Sequence, residues 1–405
     1  MSKKKVLLVG QIPKEYGGSY TTGVANVIVN LLPYFPNNGY EIILWASNYK
    51  HPTNAKIHNI NIYGYSYQKI LSSLIRYILK KPHKLFGILK YREYGISPLK
   101  NLLYESNLNR LIEEFQPDLI HVHNIKFFPA TYYANNQNNN NVILTFHGIQ
   151  NNDRYSIEQN RKLGIDLPKL FKLVSAKLRW CSVLTDSMLN EAHNSLGIPK
   201  EYIFKISNGV SNIFTFDNDE RNQLRNELGL SGDKILFLSV GAHTKRKNYI
   251  EAINYLRLKY DNFKYIIIGK TGDYESEIRE IIENDERIMI VPYIDNKELY
   301  KYYSAADFLM LPSTNEGQAL VGLEALSCGL PLLVNLKIIG TLGIDEKYFK
   351  HYYQPIDFIQ VSDFKLDTIK KGERTELAQL AQNHLNWKSS ARKYLTLYEE
   401  IIKNN

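Results

Sequence analysis

Cysteine is scarce in this sequence. Its 405 residues hold two, Cys181 and Cys328, and a pair so widely spaced makes neither a disulfide framework nor a metal-binding motif. A small stapled secreted module is excluded, and a reduced, cytoplasmic setting is expected. Long apolar runs are also missing. The basic start Lys3–Lys4–Lys5 leads only into Val6–Val9, too short for the apolar core of a signal peptide. No stretch approaches the ~18 apolar residues that cross a bilayer. There is no internal repeat. Acidic residues are outnumbered, 41 against 50 basic, which leaves a net charge of +9. An anionic partner is therefore expected, whether nucleic acid, an anionic membrane surface or a phosphorylated substrate. Nucleic acid is set aside, because no recognition motif accompanies the charge.

What is present is an ordinary globular composition, 44% hydrophobic and 22% charged, in a chain long enough for two domains with a core each. Short apolar runs recur between helix-forming segments. Lys5–Gly10, Tyr40–Ala46, Ile60–Tyr63, Asp118–His123, Val142–Phe146, Ser182–Thr185 and Ile203–Ile206 read as strands of a first parallel sheet. Lys234–Val240, Tyr265–Gly269, Ile288–Val291 and Asp307–Leu311 read as strands of a second. Between them, the polar turn Asn208–Gly209 and the segment Ser211–Asp219 read as a boundary and linker. The expected division is 1–210, 211–384 and a terminal helix, 385–405. Alternating strand, loop and helix predicts an α/β chain of doubly wound, Rossmann-like domains. The loop after the first strand carries Gly17, Gly18 and Gly23. It is not a Gly-x-Gly-x-x-Gly fingerprint, so dinucleotide binding is not indicated.

The most informative stretch runs from Leu311 to Asn335. An apolar strand ends at Leu311, and the polar loop Pro312–Gly317 follows. A helix-forming run, Gln318–Ser327, closes at Cys328–Gly329, and Pro331 opens the next strand. A helix N-terminus at a strand end offers unpaired N–H groups and favours negative charge. Glu316 lies in the loop and Glu324 in the helix. A carboxylate can accept from two vicinal hydroxyls, so two acids flanking an anion site suit a phosphate between two hydroxylated rings. Leu323, Ala325 and Leu326 surround Glu324 in sequence, where a charge without a partner is costly to bury. A second anion site is predicted in Gly241–Asn248, a basic loop after a strand. There Lys245 and Lys247 supply point charges and Arg246 a planar fork. His147 ends a strand on the side where open α/β sheets bind ligands. His121 and His123 share one strand face but lack a third ligand at metal spacing, and are read as core.

The run NEGQALVGLEALSCGLPLL, Asn315–Leu333, resembles the signature of the retaining nucleotide-sugar glycosyltransferases of the GT-B fold, the family 4-like group 1 enzymes. Their pattern is Glu-Gly-Phe-Gly-Leu-x-x-x-Glu-Ala, then Gly-x-Pro. Glu316, Gly317, Leu320, Glu324, Ala325, Gly329 and Pro331 are in register. Gln318 stands where an aromatic residue is usual, and Ala319 where glycine is. The segments PDLIHVH, TFHG and Asn208–Gly209–Val210 are similar to the family as well, and Lys247 matches its lysine. Ala242 stands in place of its arginine.

The resemblance implies an α/β GT-B fold, two doubly wound Rossmann-like domains facing an interdomain cleft, with the terminal helix crossing back to the first. It implies transfer of a sugar from a UDP- or GDP-sugar, with retained configuration, to a glycan or polyprenyl-linked acceptor. Cell-surface polysaccharide or glycolipid biosynthesis is the expected setting. Lys247, Arg246 and the Gly317–Gln318–Ala319–Leu320–Val321 turn would hold the diphosphate, and Glu324 the ribose. Glu316 would orient the donor sugar, with His147 and Gly18 facing it from the first domain. Neither cofactor nor metal is expected: the one Asp-x-Asp sequence, Asp217–Asn218–Asp219, reads as a solvated turn. Ala242 and Ala319 keep open a catalytically silent glycan- or lipid-binding subunit. A sugar-nucleotide epimerase of the same fold is a third reading.

Residues 67–103 interleave Lys69, Arg76, Lys80, Lys81, Lys84, Lys90, Arg92 and Lys100 with an apolar series that includes Ile70, Leu71, Ile75, Leu79, Leu85, Phe86 and Ile88. This basic amphipathic stretch is expected to meet an anionic membrane, placing the protein peripherally on the inner face of the plasma membrane. The competing reading packs its apolar face on the domain core and leaves its lysines solvated.

Overall fold

The computed structural model describes residues 3–404 other than 20–22, 37–38, 50–55, 65–66, 87–88, 150–153, 163–164, 231–233 and 360–370. The chain forms two units. One runs to Ser207 and takes back Ser390 onward; the other is Asn208–Ser389.

The first unit is built on β1 (Lys4–Gly10), β2 (Tyr40–Ala46), β3 (Lys56–Ile57), β4 (Ile60–Gly64), β5 (Leu119–Val122), β6 (Val142–Phe146), β7 (Trp180–Val183) and β8 (Ile203–Lys205). Their order in the sheet is β3-β4-β2-β1-β5-β6-β7-β8. Strands such as β1 and β6 are Val- and Leu-rich and buried on both faces, as a parallel sheet covered by helices requires. All pairings are parallel except β3 with β4. That hairpin turns through His58 and Asn59, both with positive φ, and its two-residue β3 is too short to show a period in sequence. The strand order reverses between β1 and β5, which makes their carboxyl ends the ligand-binding edge of such a sheet.

The second unit repeats the plan with β9 (Ile235–Val240), β10 (Phe263–Ile268), β11 (Ile288–Val291), β12 (Phe308–Leu311), β13 (Leu332–Asn335) and β14 (Tyr353–Ile356). The order is β11-β10-β9-β12-β13-β14, parallel throughout. Here the reversal falls between β9 and β12. Two parallel α/β sheets of this kind give the chain the GT-B fold.

Two expectations change. The Ser211–Asp219 segment is not a loose linker. Phe214 is buried in the second core, and Val210 N–H donates to Leu385 O at 2.6 Å. Asp217 is a helix cap, accepting from the N–H groups of Asp219 and Glu220 at the head of Asn218–Glu227. Burial of Val210 and Phe214 outweighs the polar turn signal around them.

The second change concerns residues 67–103. They form Tyr67–Lys80, His83–Phe86 and Lys90–Glu93, then enter the long helix Pro98–Phe115. The side chains of 67–70 and 85–86, among them Lys69, Ile70, Leu85 and Phe86, and Ile88 entirely, lie outside the described residues. The helix Tyr67–Lys80 meets the domain through Ser73 and Tyr77, with Leu74 and Ile78 half-buried beside them. Ser73 and Tyr77 are buried, while Leu71, Ile75 and Leu79 are 59%, 53% and 77% exposed. Ser73 donates to Ser106 O, and Tyr77 hydroxyl to Glu105 at 2.6 Å. Glu105, fully buried, also takes Lys84 Nζ at 2.9 Å, Lys90 Nζ at 3.2 Å and the Tyr91 hydroxyl. Lys84 and Lys90 are thus internal partners of a buried acid and not surface charges. The apolar stripe, spaced at four residues, is left facing solvent. No helix among the described residues is long and apolar enough to cross a membrane.

Candidate functional site

In the second unit, β9 and β12 deliver two loops at the point where the strand order reverses: 241–248 and 312–319. Hydrogen bonds tie these loops together. Thr314 N–H donates to Arg246 O at 3.0 Å, and Arg246 Nη1 to Asn315 O at 2.6 Å. Gly241 adopts φ +154, and a Cβ there would stand 2.8 Å from Lys247 Cε. Glycine lets the lysine side chain lie across its own loop.

Glu316 is the meeting point. Lys247 Nζ lies 2.7 Å from Oε1 and Arg246 Nη1 3.0 Å from Oε2. Burial pushes this carboxyl up, but Lys247, Arg246 and a Ser313 hydrogen bond outweigh it and hold it below its ordinary value. Three residues expected around the donor are therefore one cluster. Arg246, committed to Asn315 and Glu316, acts as a clamp on the loop. Ala242 is exposed, and Lys245, also exposed, has no side-chain partner among the described residues.

The helix after β12 runs Leu320–Ser327, with Ala319 as its cap residue and no side chain capping it. Leu320 N–H is turned back onto Gln318 O at 2.9 Å. The N–H groups of Ala319 and Val321 have no acceptor among the described residues, so the expected anion cradle has two open donors where three were expected. Gln318 does not face a ligand with its amide. Its Oε1 accepts from Asn208 N–H at 3.1 Å and its Nε2 donates to Leu342 O at 3.3 Å. Gly317 links Glu316 to this staple.

Glu324 sits one turn into the helix. Burial raises its carboxyl to about 7, opposed by a hydrogen bond from the Tyr303 hydroxyl to Oε2 at 2.9 Å. Oε1 has no described partner. Tyr303 is fully buried, and nothing in the sequence separates it from the other tyrosines of the core.

In the first unit, Gly18 closes the loop after β1. Its N–H donates to Pro13 O, and a Cβ would fall 2.0 Å from Ile12 O. Close packing, with no free donor, accounts for the glycine. His147 follows β6 and is partly exposed; burial pushes its imidazole down to about 4. Its Nε2 lies 3.3 Å from Nδ1 of His123, which is buried together with His121. No group of three or more His, Cys, Asp or Glu among the described residues could hold a metal ion.

Comparison with known proteins places both units. Residues 21–212 match the glycosyltransferase family 4 model and residues 220–342 the glycosyl transferases group 1 model. An uncharacterized 41.2 kDa protein of the cps region of Klebsiella pneumoniae is 34% identical over 139 residues, covering 34% of this chain and 38% of that protein. An alpha-galactosylglucosyldiacylglycerol synthase of Streptococcus pneumoniae is 30% identical over 163 residues, covering 38% and 42%. The chain thus spans less than half the length of these relatives. Among solved structures, sucrose-phosphate synthase from Thermosynechococcus elongatus superposes with a TM-score of 0.69 at 14% identity, over 100% of both chains. HepE of Anabaena in complex with UDP gives 0.66 at 13%, over 98% of this chain and 100% of that one. At such identities the structures speak for the fold alone.

Proposed function

The chain belongs to the group 1, family 4-type glycosyltransferases, and from that premise we propose that it transfers a sugar from a nucleotide diphosphate sugar to a lipid-linked or glycan acceptor. The observation that carries this reading is the bond from Lys247 to Glu316, which joins the basic loop to the loop leading into two open helix N–H groups at the strand-order reversal of the second sheet. Lys247, Ala319 N–H and Val321 N–H are suited to the β-phosphate, where negative charge grows as the bond to the sugar breaks. Glu324 is suited to the ribose hydroxyls and Glu316 to those of the donor sugar. Retention is proposed to follow from attack by the acceptor hydroxyl on the face the phosphate leaves. The new bond runs from acceptor oxygen to sugar carbon, and the acceptor's proton passes to the departing phosphate oxygen. No metal or cofactor is assigned a part. His147, in the first unit, is assigned to the sugar.

A lipid-linked acceptor is favoured because three relatives are named glycosyldiacylglycerol synthases. The outward apolar stripe Leu71, Ile75 and Leu79, beside Arg76 and Lys80, fits an anionic lipid surface by charge and by contact. A polysaccharide acceptor is the second reading, suggested by the Klebsiella relative of the cps region.

The test is calorimetry of Glu324→Ala against a panel of UDP- and GDP-sugars. Loss of donor binding is expected, and unchanged affinity would overturn the assignment. Mass spectrometry of donor with no acceptor present separates the alternatives. A silent subunit leaves the donor intact, an epimerase returns a new sugar nucleotide, and a transferase releases free sugar slowly.

A further inference from the structure

Three imidazoles lie in a row in the first unit, and only the outermost has a role so far. His121 is tied at both nitrogens: Nδ1 to the Tyr398 hydroxyl at 2.6 Å and Nε2 to Thr145 Oγ1 at 2.6 Å. Its ring lies 4.0 Å, centroid to centroid, from that of His123. His123 in turn places Nδ1 3.3 Å from His147 Nε2, its ring inclined 28° to that of His147. The remaining nitrogen, His123 Nε2, is buried and has no partner among the described residues. His147 Nδ1 has none among the described residues, and that residue is partly exposed.

One proton is shared between His123 Nδ1 and His147 Nε2, and its place decides what His147 can offer. If His147 donates, neutral His123 must carry its own proton on Nε2, a buried N–H with no acceptor. If His123 donates, the same orphan nitrogen is a bare lone pair. Orphaned buried N–H groups are the rarer kind. A doubly protonated His123 would bury both an unpaired N–H and a charge. Among the described residues, the groups facing it are His121, His147, Tyr394 and the Gly10 backbone, and no carboxylate is among them. Burial accordingly holds both His123 and His147 neutral at pH 7.

We propose that His123 is a positioning residue which donates to His147 and fixes the proton of His147 on Nδ1. His147 then presents a hydrogen-bond donor outward and has no free lone pair. In the transferase reading, on which the catalytic consequence rests, His147 grips a substrate oxygen and does not act as a base. The tautomer itself stands independently of that reading.

The experiment is imidazole ¹⁵N spectroscopy of the full chain labelled at histidine, with His147 assigned through His147→Gln. The Nδ1–H tautomer of His147 is expected from pH 6 to 9. An Nε2–H tautomer in the unaltered protein overturns the proposal whether or not the protein transfers sugar. His123→Phe keeps the ring and removes the donor, and is expected to mix the two His147 tautomers and lower kcat roughly tenfold with donor KM unchanged. His123→Asn, whose amide nitrogen can stand near the Nδ1 position, is expected to restore the single tautomer and most of kcat. A His147 tautomer unmoved by His123→Phe counts against the proposal. Loss of kcat in the Phe variant without recovery in Asn also counts against it.

Discussion

Glu316 bridges Lys247 and Arg246, one carboxylate oxygen to each, at 2.7 and 3.0 Å. A nucleoside diphosphate seeking Lys247 must share that lysine with the acid or displace it. Glu316→Gln is therefore expected to tighten UDP or GDP binding while lowering transfer. The gain is set by release of one charge-assisted bond, about 1 kcal/mol or roughly fivefold in Kd. Calorimetry with the nucleotide and a turnover assay on the same variant check it. Weaker nucleotide binding would show that Glu316 helps to hold the diphosphate.

Glu324 predicts a pH dependence of donor binding. Its carboxyl titrates at about 7 because it is buried with one hydrogen-bond donor, whereas two ribose hydroxyls need the ionised form as acceptor. Donor affinity is expected to fall as pH drops below 7, by up to about tenfold per unit. Glu324→Gln should flatten this profile. Tyr303→Phe removes the one bond that favours ionisation, and should move its midpoint upward. Folding stability runs the opposite way. The folded acid has the raised pKa, so the folded chain holds the extra proton and this group's contribution declines as pH rises toward 7. Thermal melts across pH 5–8, compared with Glu324→Gln, read that contribution.

Glu105 anchors the helix Tyr67–Lys80. Burial pushes its carboxyl up, but Lys90, Tyr77, Tyr91 and Lys84 more than offset that and hold it below its ordinary value. Replacing it by Leu leaves two lysines and two tyrosine hydroxyls facing an apolar group, at a cost of about 3 kcal/mol or more. Because two units need not unfold together, the loss is best read by hydrogen exchange, which should rise over residues 67–115 and not in the second unit. With its folded pKa depressed, Glu105 adds stability above the ordinary carboxyl range, and that is lost as pH falls through the folded value.

The exposed stripe makes a separate prediction. The triple change Leu71→Gln, Ile75→Gln, Leu79→Gln should abolish sedimentation with anionic vesicles and leave calorimetric donor binding unaltered. Arg76→Ala with Lys80→Ala should weaken vesicle binding mainly at low salt, since exposed charges are screened. An unaltered chain that ignores anionic vesicles at low salt would end the membrane reading.

Much of the plan was legible in the sequence, because buried parallel strands are short Val, Ile and Leu runs and the Asn315–Leu333 stretch has fixed spacing. Side-chain pairing was less legible. That Arg246 grips Asn315 O, that Glu316 sits on Lys247 and that Gln318 spans Asn208 and Leu342 are contacts over 69, 69, 110 and 24 residues, which no local pattern encodes. The helix Tyr67–Lys80 shows the same limit. Its periodicity predicts an apolar face, expected to meet a membrane, with burial against the domain core as the competing reading. Only Glu105, Ser106 and the lysines around them reveal that it docks by the other side.

Gln318 stands where an aromatic ring was expected and hydrogen-bonds to Asn208, the first residue of the second unit. The turn that opens the Leu320 helix is thereby tethered to the backbone where the polypeptide enters that unit. An aromatic hydrocarbon ring has no amide oxygen to accept from Asn208 N–H, and would leave the turn without this tether. The amide thus turns a packing position into a link between this turn and the residue that opens the unit.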